Sequence, residues 1–342
     1  MQLVFSHPEP APQRAAVWPV FLPFAGCPYR CVYCAQDKQT GRGEAELEDV
    51  FRTAGEDLGR ALDEGRGPYE LAFYGGTFTA LPWAWQARFL ELGARFRECG
   101  LVTRVRCSTR PDRVDAAGLD RLRAAGLDLV ELGVQSFDDA ALRAASRGYA
   151  GDVARAACGL VRAAGLGLGI QLMPGLPGDR PGMFRADAAE AAALSPEVAR
   201  LYPCLVIRGT ALAEVWARGG FTPWTLERAG EELAAALPVL WERGVRVIRL
   251  GLAPEGTLAE HILAGPWHPA LGQTARGRAL LAIIRARLDG LDGPVTLFEA
   301  PRRYQGEFFG HRNELAAEYA ALGIGRETVR WVAGDEFRLT TG

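Results

Sequence analysis

From Val17 to Leu250, short runs rich in apolar residues alternate with longer segments whose apolar positions recur every three to four residues. The short runs predict strands at Val17–Pro23, Leu71–Tyr74, Leu101–Cys107, Leu127–Leu132, Leu166–Leu172, Val198–Ile207 and Val245–Leu250. Between them, stripes such as Val50, Ala54, Leu58 and Ala61, or Trp85, Phe89, Leu92 and Phe96, mark helices buried along one face. Four of these helices run into Gly100, Gly126, Gly165 or Gly244, and each glycine directly precedes a strand. Glycine suits the left-handed residue that closes a helix. The words Arg123-Ala124-Ala125-Gly126-Leu127 and Arg162-Ala163-Ala164-Gly165-Leu166 recur 39 residues apart, the length of one strand-helix unit. The rhythm predicts an α/β barrel or open parallel sheet, in which loops at the C-terminal strand ends carry function.

Beyond Ala253 the rhythm weakens. A helix is expected from His268-Pro269 through Leu288, then a strand at Val295–Phe298 and a last strand near Trp331–Leu339. The division expected is therefore a core over residues 1–253 and a small α+β cap or second domain over 254–342.

Composition narrows the chemistry. Hydrophobic residues make up 49% of the 342 and charged residues 23%, as in ordinary globular proteins, and the net charge of −2 gives no global pull toward polyanions. Of 39 basic residues one alone, Lys38, is a lysine, and it lies in Asp-Lys-Gln, which excludes a phosphate-binding P-loop. The apolar stretch Ala15–Cys27 is too short for a membrane span and holds Pro19 and Pro23. No signal peptide is expected from the first residues. Seven cysteines, three of them between residues 27 and 34, suit ligand chemistry in a reducing cytoplasm better than disulfides.

The loop after the first strand reads Gly26-Cys27-Pro28-Tyr29-Arg30-Cys31-Val32-Tyr33-Cys34. Three thiolates at this spacing can each ligate one iron of a 4Fe–4S cube and leave the fourth iron open. A zinc site is the alternative, and it would ask for four ligands. Cys99, Cys107, Cys158 and Cys204 stand alone in or beside core elements, where cysteine is a small hydrophobe.

Cys27-x3-Cys31-x2-Cys34, with Tyr33 before the last cysteine, resembles the radical S-adenosylmethionine (radical SAM) superfamily. The resemblance implies a partial (β/α)6-type TIM barrel, with S-adenosylmethionine chelated by the open iron of a 4Fe–4S cluster held by Cys27, Cys31 and Cys34. Reductive cleavage then gives a 5′-deoxyadenosyl radical that abstracts hydrogen from substrate. Further motifs lie at strand ends in the family's order. Gly75-Gly76-Thr77 looks like the glycine motif that meets the methionine amino group, and Thr109 and Arg110 fall where relatives place polar cofactor contacts. Glu131 and Gln135 suit ribose hydroxyls, and Met173 opens the segment that packs the adenine. Asp112 and Asp115 are alternative helix caps.

Leu201-Tyr202-Pro203 and Val206-Ile207-Arg208-Gly209-Thr210 narrow the likeness to the radical SAM core of the Elongator catalytic subunit and its stand-alone bacterial relatives, over approximately residues 15–253. Tyr202 and Arg208 are expected at the barrel mouth as catalytic residues. Three departures argue against the full Elongator reaction. Fewer than 90 residues follow Ala253, Arg14 is the one basic residue before Cys27, and the first cysteine gap is the compact form. The reaction expected is a related radical chemistry on RNA or on a small molecule, RNA being favoured, with a flavodoxin- or ferredoxin-like electron donor and no membrane partner. Arg302-Arg303-Tyr304 and Phe308-Phe309-Gly310-His311-Arg312 offer arginines and rings of the kind that grip unpaired bases. Two alternatives stand beside it: oxidation of a small molecule, as in oxygen-independent coproporphyrinogen dehydrogenases, and a non-enzymatic iron–sulfur carrier.

Overall fold

The computed structural model describes residues 2–11, 15–40, 46–252, 258–289, 291 and 293–342; Arg14 and the expected boundary at Ala253 lie outside the described residues. Strand β1 (Gln2–Ser6) opens the chain, followed by β2 (Ala16–Phe21), β3 (Tyr69–Tyr74), β4 (Val102–Thr109), β5 (Leu129–Gln135), β6 (Gly167–Leu172), β7 (Val198–Leu201), β8 (Val206–Ile207) and β9 (Arg246–Leu250). β2, β3, β4, β5, β6, β7 and β9 form one parallel sheet in that order. Residues from all seven strands line a single cavity, so the sheet curls into an open half-barrel. Edge strand β2 carries Pro19, which has no N–H to offer a further strand.

The helix ends follow the glycine pattern. After the helices Trp83–Glu98, Ala116–Ala124, Gly151–Ala163 and Leu226–Trp241, the four expected glycines adopt φ between 70° and 98°. The next residue, Leu101, Leu127, Leu166 or Val245, donates its N–H back to Phe96, Leu122, Val161 or Leu240. These are Schellman closures, and each seals an apolar pair into the core before the next strand begins.

Alternation along the strands separates two chemistries. Leu71 and Phe73, Val105 and Cys107, Val130, Leu132 and Val134, and Leu168, Ile170 and Leu172 face outward and form the main core with the helices. The opposite positions carry Glu70, Arg106, Glu131, Gln171 and Arg200 inside the barrel. Arg106 Nη1 donates to Glu70 (2.8 Å) and Nε to Glu131 (2.9 Å), while Tyr74 Oη donates to Glu131 at 2.9 Å and Arg200 also binds it. Burial opposes ionisation of Glu131, but the Arg200 and Arg106 guanidiniums outweigh it and hold the carboxyl below the usual range. Gly169 makes room, since a Cβ there would stand 2.7 Å from Glu131 Cγ.

The sequence reading of Val198–Ile207 as one strand needs correction. Tyr202 and Pro203 end β7, and β8 turns away to pair antiparallel with β10 (Ile262–Ala264). The expected last strand also divides, into β12 (Val329–Val332) and β13 (Glu336–Thr341), which flank β11 (Val295–Pro301) on opposite sides. β1 pairs with β13, so residues 2–6 join the C-terminal sheet although the sequence reading placed them with the core. Helix Leu271–Leu288 serves both bodies: Leu271, Ala275 and Ala279 enter the main core, Leu280, Leu281 and Ile284 the second. Tyr304 and Phe308 are buried in that second core too, so they are not the exposed base-stacking rings the sequence suggested.

His7 lies between the bodies, its ring 4.8 Å from both Trp241 and Tyr304. Burial, with Arg303 and Arg276 adding to it, pushes its pKa down to about 3. The folded protein therefore keeps His7 neutral, while the unfolded chain takes up a proton near pH 6.5. Stability from this group is full above pH 6.5 and declines as pH falls toward 3, by up to about 1.4 kcal/mol per pH unit. In urea unfolding, His7→Phe gains on wild type between pH 7 and 5; a constant difference would exclude this linkage. For the inner network, Glu131→Gln leaves Arg106 and Arg200 undercompensated. It is expected to lower unfolding free energy by roughly 3–5 kcal/mol, as when one partner of a buried pair is removed.

Candidate active site

The cysteine loop is set by its contact with the end of β3. Leu22 N–H donates to Tyr74 O (2.7 Å), and Thr77 N–H donates to Ala25 O (2.7 Å). The two loops approach so closely that a Cβ on Gly76 would lie 2.2 Å from Ala25 O, and one on Gly26 2.4 Å from Thr77 O. Gln36 Oε1 accepts from the N–H groups of both Phe24 and Gly76, the latter at 3.0 Å. Gly75 and Gly76 line the cavity. At Gly76 the missing side chain clears the cysteine-loop backbone, and its N–H is taken by Gln36.

The cavity above the inner network has a volume of about 720 Å3. Cys27, Cys31 and Cys34 line it together with Tyr33, Thr109, Arg110, Gln135, Met173 and Tyr202. Cys27 Sγ lies 3.3 Å from Thr77 Oγ1. Cys31 Sγ accepts from Arg147 Nη1 at 3.2 Å and Arg110 Nη1 at 3.7 Å. Burial pushes the Cys27 thiol up, and burial together with Cys31 and Cys27 pushes Cys34 up to about 12. Bound metal would supply the positive charge that favours the thiolate form of these buried sulfurs. Among the described residues, no three His, Cys, Asp or Glu side chains are gathered to hold a single metal ion. Ligands that each bind a separate iron of a cube have no need to be. Gln135, at φ 68°, also fits a cofactor: its Oε1 is buried with no hydrogen-bond partner, leaving an acceptor for a ligand N–H or O–H.

Three expected site residues do not line this cavity. Thr77 is fully buried beneath Cys27. Glu131 lies below the floor, 1% exposed, its oxygens occupied by Arg106, Arg200, Tyr74 and Gln171, with none free for a ribose. Arg208 is exposed and lines a small cleft behind the cysteine loop with Arg30 and Lys38, because the chain has already turned out of the barrel after Pro203. Arg208 therefore does not face the main cavity with Tyr202. Of the two capping candidates, Asp115 caps its helix through Gly118 N–H (2.9 Å), while Asp112 pairs with Arg110 at 2.8 Å.

Sequence reasoning missed Arg147, Arg200 and Gln36. Arg200 Nη1 donates to Tyr202 Oη at 3.1 Å and so orients the phenol from below. Its signal was available: Arg200 precedes Tyr202 by two, the strand period that places both on the inner face. Arg147 follows the short helix Asp139–Ala144 in no recognisable pattern, and contacts between distant segments alone bring it to Cys31.

The radical SAM superfamily profile matches residues 21–191, half of the chain, and the radical SAM C-terminal domain profile matches 196–280. A tRNA uridine(34) acetyltransferase of Methanocaldococcus infernus is 29% identical over 282 residues, covering 68% of this chain and 52% of that protein. Elongator complex protein 3 of Mus musculus is 28% identical over 219 residues, covering 56% of this chain and 38% of that one. The chain thus spans about half or less of the length of these curated relatives. Its fold is similar to that of the archaeal Methanocaldococcus infernus Elp3 with an N-terminal deletion, at TM-score 0.61 and 24% identity over 81% of this chain and 64% of that one. With its half-barrel, its cysteine loop and these matches, the chain belongs to the radical SAM superfamily of enzymes, and its radical SAM region is similar to that of the Elongator catalytic subunit.

Proposed function

We propose that this enzyme holds a 4Fe–4S cluster on Cys27, Cys31 and Cys34 and modifies an RNA base by hydrogen abstraction. When bound, cluster and S-adenosylmethionine together supply the 5′-deoxyadenosyl radical. The observation that carries the reading is the convergence of three thiols, two guanidiniums and the unpartnered Gln135 acceptor on one cavity. In it, Gly75, Gly76, Tyr33, Thr109, Arg110, Gln135 and Met173 surround the S-adenosylmethionine, with Arg110 offering a cation and Gln135 an amide. Thr77 supports Cys27 from below. Tyr202, held by Arg200, stands where substrate meets the cofactor and presents its phenol to the substrate.

RNA is favoured because the relatives' names refer to transfer-RNA uridine and to Elongator. Arg302 and Arg312 are exposed and available to phosphates, while Arg303, also exposed, pairs with Asp335 at 3.0 Å. A flavodoxin- or ferredoxin-like protein would supply the electron, in the cytoplasm. Among the described residues no helix is long and apolar enough to cross a membrane.

Anaerobically reconstituted protein is expected to bind about four irons per chain and, once reduced, to cleave S-adenosylmethionine slowly without substrate. Cys27→Ala, Cys31→Ala and Cys34→Ala each abolish both, whereas Cys99→Ala abolishes neither. Gly76→Val also loses the cluster, since its side chain displaces the cysteine loop. Zinc without iron in the wild type would refute the assignment. Turnover is sought with transfer RNA in one arm and a metabolite extract in the other, reading 5′-deoxyadenosine and new nucleosides by mass spectrometry. A product in the metabolite arm alone overturns the RNA reading. With the substrate in hand, Tyr202→Phe keeps cluster content and uncoupled cleavage, while substrate-stimulated turnover drops roughly ten-fold or more. Unchanged turnover would assign Tyr202 to packing.

A further inference from the structure

Among the described residues three arginines are buried, and they differ in how their charge is balanced. Arg106 has Glu70 and Glu131, and Arg110 has Asp112. Arg147, 5% exposed, has no carboxylate partner among the described residues. Its five donors go to Tyr149 Oη (Nε 3.0 Å, Nη2 2.8 Å), Tyr33 Oη (3.3 Å), Gly133 O and Cys31 Sγ (3.2 Å). All of these acceptors are neutral except the sulfur, once it is a cluster ligand. An isolated buried cation is costly unless it is paired. The one counter-ion within its reach is therefore the metal-bound thiolate.

We propose that Arg147 is a positioning residue whose guanidinium is the built-in counter-ion of the Cys31 side of the cluster, and that it raises the cluster's reduction potential. This rests on the reading of the three cysteines as cluster ligands. One electron accepted from a reductant makes the cluster one unit more negative. A fixed positive charge and an N–H···S bond at one ligand favour that reduced form. Arg110 is farther from the sulfur and shares its charge with Asp112, so its share in the effect is smaller. The residue thus acts through Cys31 and not on the substrate, and Tyr33 and Tyr149 hold its plane in place.

The test is an EPR-monitored potentiometric titration, with dithionite as reductant, of reconstituted wild type, Arg147→Gln, Arg147→Lys and Arg110→Gln. The midpoint of Arg147→Gln is expected to move to more negative potential, further than that of Arg110→Gln, and Arg147→Lys to recover most of the shift. An unchanged midpoint in Arg147→Gln, or equal shifts in the Gln and Lys variants, overturns the proposal. A second measurement needs no substitution at Arg147. In wild type and Arg110→Gln grown with nitrogen-15 arginine, pulsed EPR of the reduced cluster is expected to show coupling to an arginine nitrogen in both. Its absence from Arg110→Gln overturns the proposal even where Arg147→Gln fails to fold. Wild-type protein that takes up no cluster overturns the functional reading as well, whereas a normal cluster with an unmoved midpoint overturns this inference alone.

Discussion

The closeness of two backbone segments sets the position of everything at the barrel mouth. Residues 22–27 and 74–77 exchange hydrogen bonds across a gap that admits no Cβ at Gly26 or Gly76. Because that contact is made by main-chain atoms, it transmits the position of β3 directly to Cys27. Gln36, at the far side of the cysteine loop, ties both segments again through one carbonyl oxygen. The loop is thereby tied at its two ends, and Cys31 between them is held by Arg147 and Arg110. Preorganisation of this kind keeps ligands in place before any metal arrives.

Inside the half-barrel, charge takes the role that apolar packing has elsewhere. The outward face of each strand supplies the core, which leaves the inner face free for Glu70, Arg106, Glu131, Gln171 and Arg200. These groups satisfy one another almost completely and form a polar floor instead of an open pore. Tyr202 rests on that floor through Arg200, so its orientation depends on Glu131 two bonds away in the network. Arg147 breaks the pattern, since among the described residues its charge has no carboxylate partner and faces a sulfur instead.

The C-terminal part is bound to the barrel by shared elements and not by a linker alone. Helix Leu271–Leu288 lends one half to each core, β1 crosses from the chain's start to β13, and the ring of His7 fills the space between Trp241 and Tyr304. This arrangement spends the aromatic residues of the region on packing. What it leaves at the surface there includes Arg302, Arg303 and Arg312.

Features determined by neighbouring residues were legible in the sequence. The strand-helix rhythm, the four glycine closures and the cysteine spacing all follow from period, chirality and reach within a few residues. The family resemblance added Gly75, Gly76, Thr109, Arg110, Gln135 and Met173, and all of them reach the cavity. Tertiary structure alone decided the rest. Arg208 looked like a partner of Tyr202 until Pro203 and β8 carried it to the outside. Glu131 looked like a ribose acceptor until two guanidiniums from β4 and β7 took its oxygens. Arg147 carried no signal, because its distance to Cys31 spans 116 positions in the chain and is closed by the barrel's curvature. Local sequence encodes local backbone preference, whereas the pairing of buried charges depends on which strands the fold sets side by side.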